Sequence, residues 1–463
     1  MTGVADEVLL PGTRRALVRR LAVGQAEGRA PSMVAAVVRD GEVVWQGARS
    51  GMSGPAPDGN VQYRIGSITK TFTAVLVLRL RDEGLLDLGD PLEKHLPGTG
   101  VGEVTVRQLL AHTAGLAAET PGQWWERSPS SLRPGLADVL GEEPSRHPTG
   151  QRFHYSNPGY TLLGALVAEV RQASWEEVLR RELLEPLGLD RTTVQPLAPY
   201  AGGWAVHPWA DVLLPEPAED LGIMGPAGCL WSTTGDLARF AAFLARGDER
   251  VLSAESVLEM RTPAAPPDSP GLAAGDGYGL GVQIHRQGDR ALVGHSGSLP
   301  GYLAALVLDV EEGLASVVLA NCTSGAAVYS VAADLIETVA AAEPRIPAPW
   351  HPLNEVDPAV LELAGPWYWG TQVLALRPTA GGGVDLAPVD GVGRASRFRA
   401  NADGTWTGLD GYYAGEVLAA VRRADGGVSH LDLGSFVFTR EPYEAGAPVP
   451  GGVDPGGWRP LPS

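Results

Sequence analysis

The chain holds two lysines among its 36 Lys and Arg residues, and one of them, Lys70, stands three positions after a serine in Arg64-Ile65-Gly66-Ser67-Ile68-Thr69-Lys70. Arginine stays protonated inside proteins, whereas a desolvated lysine can lose its proton and then take one from a hydroxyl. Residues i and i+3 share a helix face, so Ser67-x-x-Lys70 has the spacing of a serine nucleophile and its base. The same residues would also serve as a helix start with a solvated lysine, and the motif alone does not choose. Tyr155-Ser156-Asn157 adds a phenol that a nearby ammonium could hold as phenolate, and an amide able to donate and accept at once. By itself that tripeptide also fits a helix-start turn with a core aromatic. His295-Ser296-Gly297-Ser298 ends a strand. An edge strand with glycine lets a substrate backbone lie alongside and offers N–H groups to an oxyanion, although a histidine there is also an ordinary hydrogen-bonded residue.

These groups need elements to hold them. Residues 74–80 are apolar and extend the Ser67 segment into a buried helix, aiming backbone N–H groups and a positive dipole end at the serine oxygen. Helical periodicity also marks residues 14–26, 105–110, 160–170, 175–184, 234–246 and 326–341. Residues 32–45 read as a hairpin about Asp40-Gly41, and strand patterns recur at 280–284, 291–295, 303–308 and 315–321. Helices in the middle with strands at both ends predict an α+β domain over 1–342, one antiparallel sheet joined to a helical lobe. Pro344, Pro347, Pro349, Pro352 and Pro358 make 343–358 a linker. Short strand candidates with Gly-rich turns follow, predicting a small all-β domain, barrel or sandwich, over 359–463.

A net charge of −18 argues against nucleic-acid partners and against docking on anionic lipid. Cys229 and Cys322 lack metal or redox spacing and read as buried thiols, so no metal or cofactor is expected. Met1-Thr2-Gly3-Val4-Ala5-Asp6-Glu7 lacks a basic, then apolar, leader, and no apolar run is long enough to span a bilayer. A cytoplasmic location is expected. No G-x-S-x-G occurs, which speaks against a Ser-His-Asp α/β-hydrolase.

Taken in order, Ser67/Lys70, Tyr155/Asn157 and His295/Gly297 resemble the penicillin-recognising serine hydrolases, in the branch of class C β-lactamases, D-alanyl-D-alanine carboxypeptidases and esterases. Leu109-Leu110-Ala111-His112-Thr113-Ala114-Gly115-Leu116, Pro186-Leu187-Gly188-Leu189 and residues 228–238 match the same branch, so the resemblance covers about residues 10–342. It implies a β-lactamase/transpeptidase-like fold with Ser67 as acylated nucleophile and Lys70 as its base. It further implies Tyr155 as proton carrier, Asn157 on the substrate amide, and the N–H groups of Ser67 and Ser298 as oxyanion hole. Where many relatives have lysine, this chain has His295, a group expected to titrate near neutrality rather than a permanent cation.

Among members with histidine here, the chain is most similar to the stand-alone penicillin-binding-protein-type thioesterases. These release and macrocyclise nonribosomal peptides and carry a C-terminal lipocalin-like domain. That resemblance implies a peptidyl thioester or ester substrate, possible delivery by a carrier protein, and a late arginine, here Arg440, near the site. The alternatives are a cytoplasmic esterase or D-stereospecific peptidase using water, and an inactive binding or sensor domain. Trp124, Trp125, Trp204 and Trp209 could wall a dry pocket, or could simply be packing residues.

Overall fold

The computed structural model describes residues 9–442 apart from 54–55, 267, 289 and 348. The N-terminal stretch through Val8, which includes Met1 to Glu7, and the tail from Tyr443 lie outside the described residues. The chain divides into two compact units, Met1–Ile346 and Pro347–Ser463.

The first unit is built on a seven-stranded antiparallel sheet. Its strands are β1 (Ser32–Arg39), β2 (Glu42–Ser50), β3 (Gly277–Tyr278), β4 (Gln283–Gln287), β5 (Arg290–Leu299), β6 (Tyr302–Asp309) and β7 (Leu314–Ala320), in the order β2-β1-β7-β6-β5-β4-β3. Both faces are covered, so the central strands read as apolar runs rather than alternating; every residue of β7 is buried. Helices α1 (Pro11–Glu27) and α5 (Val328–Ala342) close one face, packing Leu17, Leu21, Val331, Leu335 and Ile336 on Met33, Val37, Val307 and Val318. On the other face Val34, Val38, Leu306, Val317 and Leu319 meet the helical lobe. That lobe includes α2 (Thr69–Asp82), α3 (Asn157–Arg171) and α4 (Thr234–Arg246). Phe72 of α2 stacks on Phe240 of α4 with ring centroids 3.8 Å apart; burying such a side chain contributes about 1.5–3 kcal/mol.

Two strand expectations shift. The strand expected at 280–284 starts only at Gln283, because Leu280-Gly281 turns toward α2, where the Thr71 hydroxyl donates to the Gly281 carbonyl at 2.8 Å. The strand expected to end at His295 runs on to Leu299, paired throughout with β6. Nor is it an edge strand, since β4 lies on its other side. That pairing stops at Gly294, however, so the His295–Leu299 half of β5 is open on one side.

The second unit is a nearly closed barrel of eight antiparallel strands in sequential order: β8 (Gly365–Trp369), β9 (Gln372–Pro378), β10 (Val384–Pro388), β11 (Ser396–Ala400), β12 (Trp406–Gly408), β13 (Val417–Arg422), β14 (Val428–Leu433) and β15 (Phe436–Phe438). Burial alternates along β10, with Val384, Leu386 and Pro388 inward. Trp367, Leu376, Phe398, Leu418 and Phe438 fill the core. Tyr368 and Thr439 exchange both backbone hydrogen bonds, at 2.8 and 2.9 Å, nearly closing the barrel. That bridge leaves little of the strand edge unpaired.

Candidate active site

Ser67 sits on a tight turn, Gly66–Ile68, that runs straight into α2. From Gln62 through Leu78 it is the only residue that is not buried, so the helix presents one hydroxyl and hides the rest. The turn is pressed onto the open half of β5, and two glycines allow it. A Cβ on Gly297 would stand 1.9 Å from the Ile65 carbonyl oxygen and 2.9 Å from the Ser67 nitrogen. One on Gly66, whose φ is +51°, would stand 2.6 Å from the Ser298 nitrogen. The Ser67 nitrogen thus borders Gly297 and the Ser298 nitrogen borders Gly66.

Lys70, fully buried in the first turn of α2, lies three residues after Ser67. Its Nζ lies 3.0 Å from Ser67 Oγ, 2.7 Å from Asn157 Oδ1 and 2.7 Å from the Ala227 carbonyl oxygen. The last two atoms only accept. A neutral amine therefore gives them its two N–H groups and turns its lone pair to the Ser67 hydroxyl, which is the geometry a base needs. Burial lowers the Lys70 pKa from 10.5 to about 7, against the opposing pull of Glu119 and Glu126.

Tyr155 hydrogen-bonds Ser67, and its ring centroid is 4.9 Å from Lys70 Nζ. Burial opposes the phenolate that a nearby ammonium could hold. Desolvation pushes the phenol above its ordinary range, outweighing the hydrogen bond, so Tyr155 is a neutral proton donor. Asn157 opens α3, capped by Ser156, whose hydroxyl accepts from the Gly159 N–H at 3.0 Å. Its amide is occupied within the protein: Oδ1 faces Lys70 and Nδ2 donates to Glu119 Oε1 at 2.8 Å.

His295 also departs from expectation. It is buried, and desolvation takes its pKa to about 3, so it is neutral and does not titrate near neutrality. Nδ1 lies 2.5 Å from the Ser296 carbonyl oxygen, so Nδ1–H donates there and Nε2 accepts from the Tyr278 hydroxyl at 3.1 Å. The ring lies 6.2 Å from that of Tyr155 and braces the site without a charge. Two residues that sequence reasoning did not assign to the site complete it. His112 Nδ1 accepts from the Ser156 N–H at 3.0 Å and its ring lies 4.2 Å from that of Tyr155. Glu119 holds Asn157. His112 lies in a segment, residues 109–116, whose only signal is family likeness, and Glu119 is a lone carboxylate in a loop with no periodic signal.

A profile of the beta-lactamase family matches residues 17–341, the stretch that carries all of these groups. The chain belongs to the beta-lactamase family. Members of this family, penicillin-binding proteins among their relatives, are serine hydrolases. Residues 356–440 match a domain of unknown function, DUF7586. Penicillin-binding protein 4 from Amycolatopsis lactamdurans is 28% identical over 362 residues, covering 74% of this chain and 94% of that protein. Beta-lactamase-like protein 2 from Dictyostelium discoideum is 28% identical over 261 residues, covering 52% of this chain. The match spans 47% of that relative, about half its length. Among solved structures, SurE superposes with a TM-score of 0.57 at 26% identity over 95% of this chain and all of that one. A D-stereospecific amidohydrolase from Streptomyces gives 0.57 at 27% identity over 72% of this chain and 98% of that one.

In this beta-lactamase-family chain the tryptophans divide. Trp125 lines a cavity of about 410 Å³ with Pro121, Leu132, Val139, Leu221 and Met224, and its Nε1 donates to Glu119 Oε2 at 2.7 Å. Trp209 is 90% exposed and Trp124 54% exposed, too open to wall a dry pocket, while Trp204 is half-buried on a short strand. Arg440 is engaged in the barrel, donating to the carbonyl groups of Glu362, Ala364 and Pro366 and stacking 3.9 Å from the Trp367 ring. Cys229 and Cys322 are free, buried thiols, with pKa values pushed up to about 12 and about 11 by desolvation. Among the described residues no helix is long and apolar enough to cross a membrane.

Proposed function

We propose that this serine hydrolase is an acyl-enzyme transferase that takes a peptidyl thioester or ester, delivered by a carrier protein, and releases it as a macrocycle. The observation that carries the acyl-enzyme part is Lys70 Nζ at 3.0 Å from Ser67 Oγ, with its remaining donors bound to Asn157 and Ala227. Neutral Lys70 takes the Ser67 proton as Oγ bonds to the acyl carbon. The carbonyl oxygen gathers charge beside the N–H groups of Ser67 and Ser298, and the carbon–sulfur bond breaks. Tyr155, held neutral by its surroundings, protonates the departing thiolate and recovers a proton from Lys70. An amine of the bound peptide then attacks the acyl-enzyme and gives up its proton by the reverse route. A D-configured acyl residue is supported by two likenesses, SurE, solved with D-Leu, and the D-stereospecific amidohydrolase.

The second reading uses water as acceptor. It is supported by the likeness to the D-stereospecific amidohydrolase, which covers 72% of this chain. The test is a synthetic peptidyl thioester ending in a D-residue and carrying a free N-terminal amine, followed by mass spectrometry. Macrocycle is expected; linear acid from every such substrate would discard cyclisation in favour of hydrolysis. Absence of any acyl adduct on Ser67 would return the inactive sensor reading.

A further inference from the structure

Glu119 stands behind Asn157, and both of its carboxylate oxygens are taken. Oε1 accepts from Asn157 Nδ2 at 2.8 Å and Oε2 from Trp125 Nε1 at 2.7 Å. Asn157 in turn turns Oδ1 to Lys70 at 2.7 Å, and Lys70 reaches Ser67 at 3.0 Å. A continuous line of hydrogen bonds therefore runs from the Trp125 indole to the nucleophile. The asparagine amide could sit in two orientations. With the carboxylate behind it, the flipped one would face oxygen with carboxylate and present an N–H₂ group to the donors of Lys70. Both contacts would be repulsive, so Glu119 leaves one orientation.

We propose that Glu119 is a positioning residue of the acylation machinery: it locks the Asn157 amide, and through that amide holds the Lys70 amine against Ser67. The inference rests on Ser67 being acylated, and is indifferent to whether an amine or water removes the acyl group. Glu119 also contributes charge. Lys70 is faced by two carboxylates, Glu119 and Glu126, by the neutral imidazoles of His112 and His295, and by the rings of Tyr155 and Tyr160, with Tyr278 behind His295. The carboxylates favour the ammonium form, and everything else around it is uncharged. Glu119 is exposed, so water screens its field and its share is modest.

The chain's two lysines make the test direct. Protein labelled with ¹³C-lysine has two Cε signals, Lys70 and the exposed Lys94, and the second serves as internal control. E119Q keeps an acceptor for Asn157 and loses the charge, so the Lys70 midpoint is expected to fall by about half a pH unit while Lys94 stays put. E119A loses the lock as well, and Ser67 labelling by a fluorophosphonate should slow by about tenfold at a pH where Lys70 is neutral. W125F keeps the charge and frees Oε2, so the Lys70 midpoint should rise; this variant decides the matter if the Glu119 variants fail to fold. An unmoved Lys70 midpoint in E119Q, unslowed labelling in E119A, or a fall in W125F would overturn the proposal. Failure of the wild-type protein to label at all would count against acylation itself.

Discussion

If Lys70 is the base, the rate at which Ser67 is acylated must follow the neutral fraction of one buried amine. The structure places its pKa at about 7, because full burial removes water from the ammonium and the nearby carboxylates only partly compensate. About 1% of the amine is neutral at pH 5, half at pH 7 and nearly all at pH 9. Labelling of Ser67 by a fluorophosphonate, read by intact mass, should therefore rise about a hundredfold from pH 5 to pH 9 along a single limb. His295, at about 3, adds no second limb in that range. The same shift shapes stability. The folded pKa lies below the unfolded value of 10.5, so between pH 7 and 10.5 the unfolded chain binds more protons and stability rises with pH. Below pH 7 the fold carries the whole cost, on the order of 5 kcal/mol for a shift from 10.5 to about 7. A rate flat from pH 5 to 9, or a limb near 10, would refute Lys70 as the base.

Other outcomes follow from single contacts. S67A should abolish the acyl adduct and leave the melting temperature within a degree or two, since Ser67 is partly exposed and its hydroxyl supports no packing. Y155F should slow turnover of a peptidyl thioester by about 10²–10³ in steady-state assays, because only the proton carrier is lost. G297A should abolish labelling even where circular dichroism shows folded protein, since the new methyl would displace the Ile65 carbonyl and the Ser67 turn from β5. R440A should lower the denaturant midpoint of the barrel by about 1–2 kcal/mol in stability, through loss of the Trp367 stack and three carbonyl contacts.

Much of the fold could be read along the chain because its signals are local. The Thr234–Arg246 helix begins and ends where its periodicity does, and β1 and β2 flank Asp40-Gly41 as turn chemistry requires. The strand expected at 280–284 starts late, at Gln283, because a tertiary hydrogen bond from Thr71 takes the Gly281 carbonyl, and nothing in residues 280–284 announces a partner on α2. His295 was expected to titrate near neutrality because residue type gives only a reference pKa. Its actual value depends on how much protein surrounds it.

The same division runs through the site. Residue type and spacing alone determined which groups could do chemistry, since Ser67 and Lys70 must share a helix face wherever that helix lies. Tertiary structure decided their protonation: burial brings the amine down to about 7 and keeps the Tyr155 phenol and the His295 imidazole neutral. It also decided membership, bringing in Glu119 and His112 through contacts with Asn157 and Ser156. Spacing is a property of the covalent chain, whereas the energy of a charge is set by its surroundings, and only the folded packing specifies those.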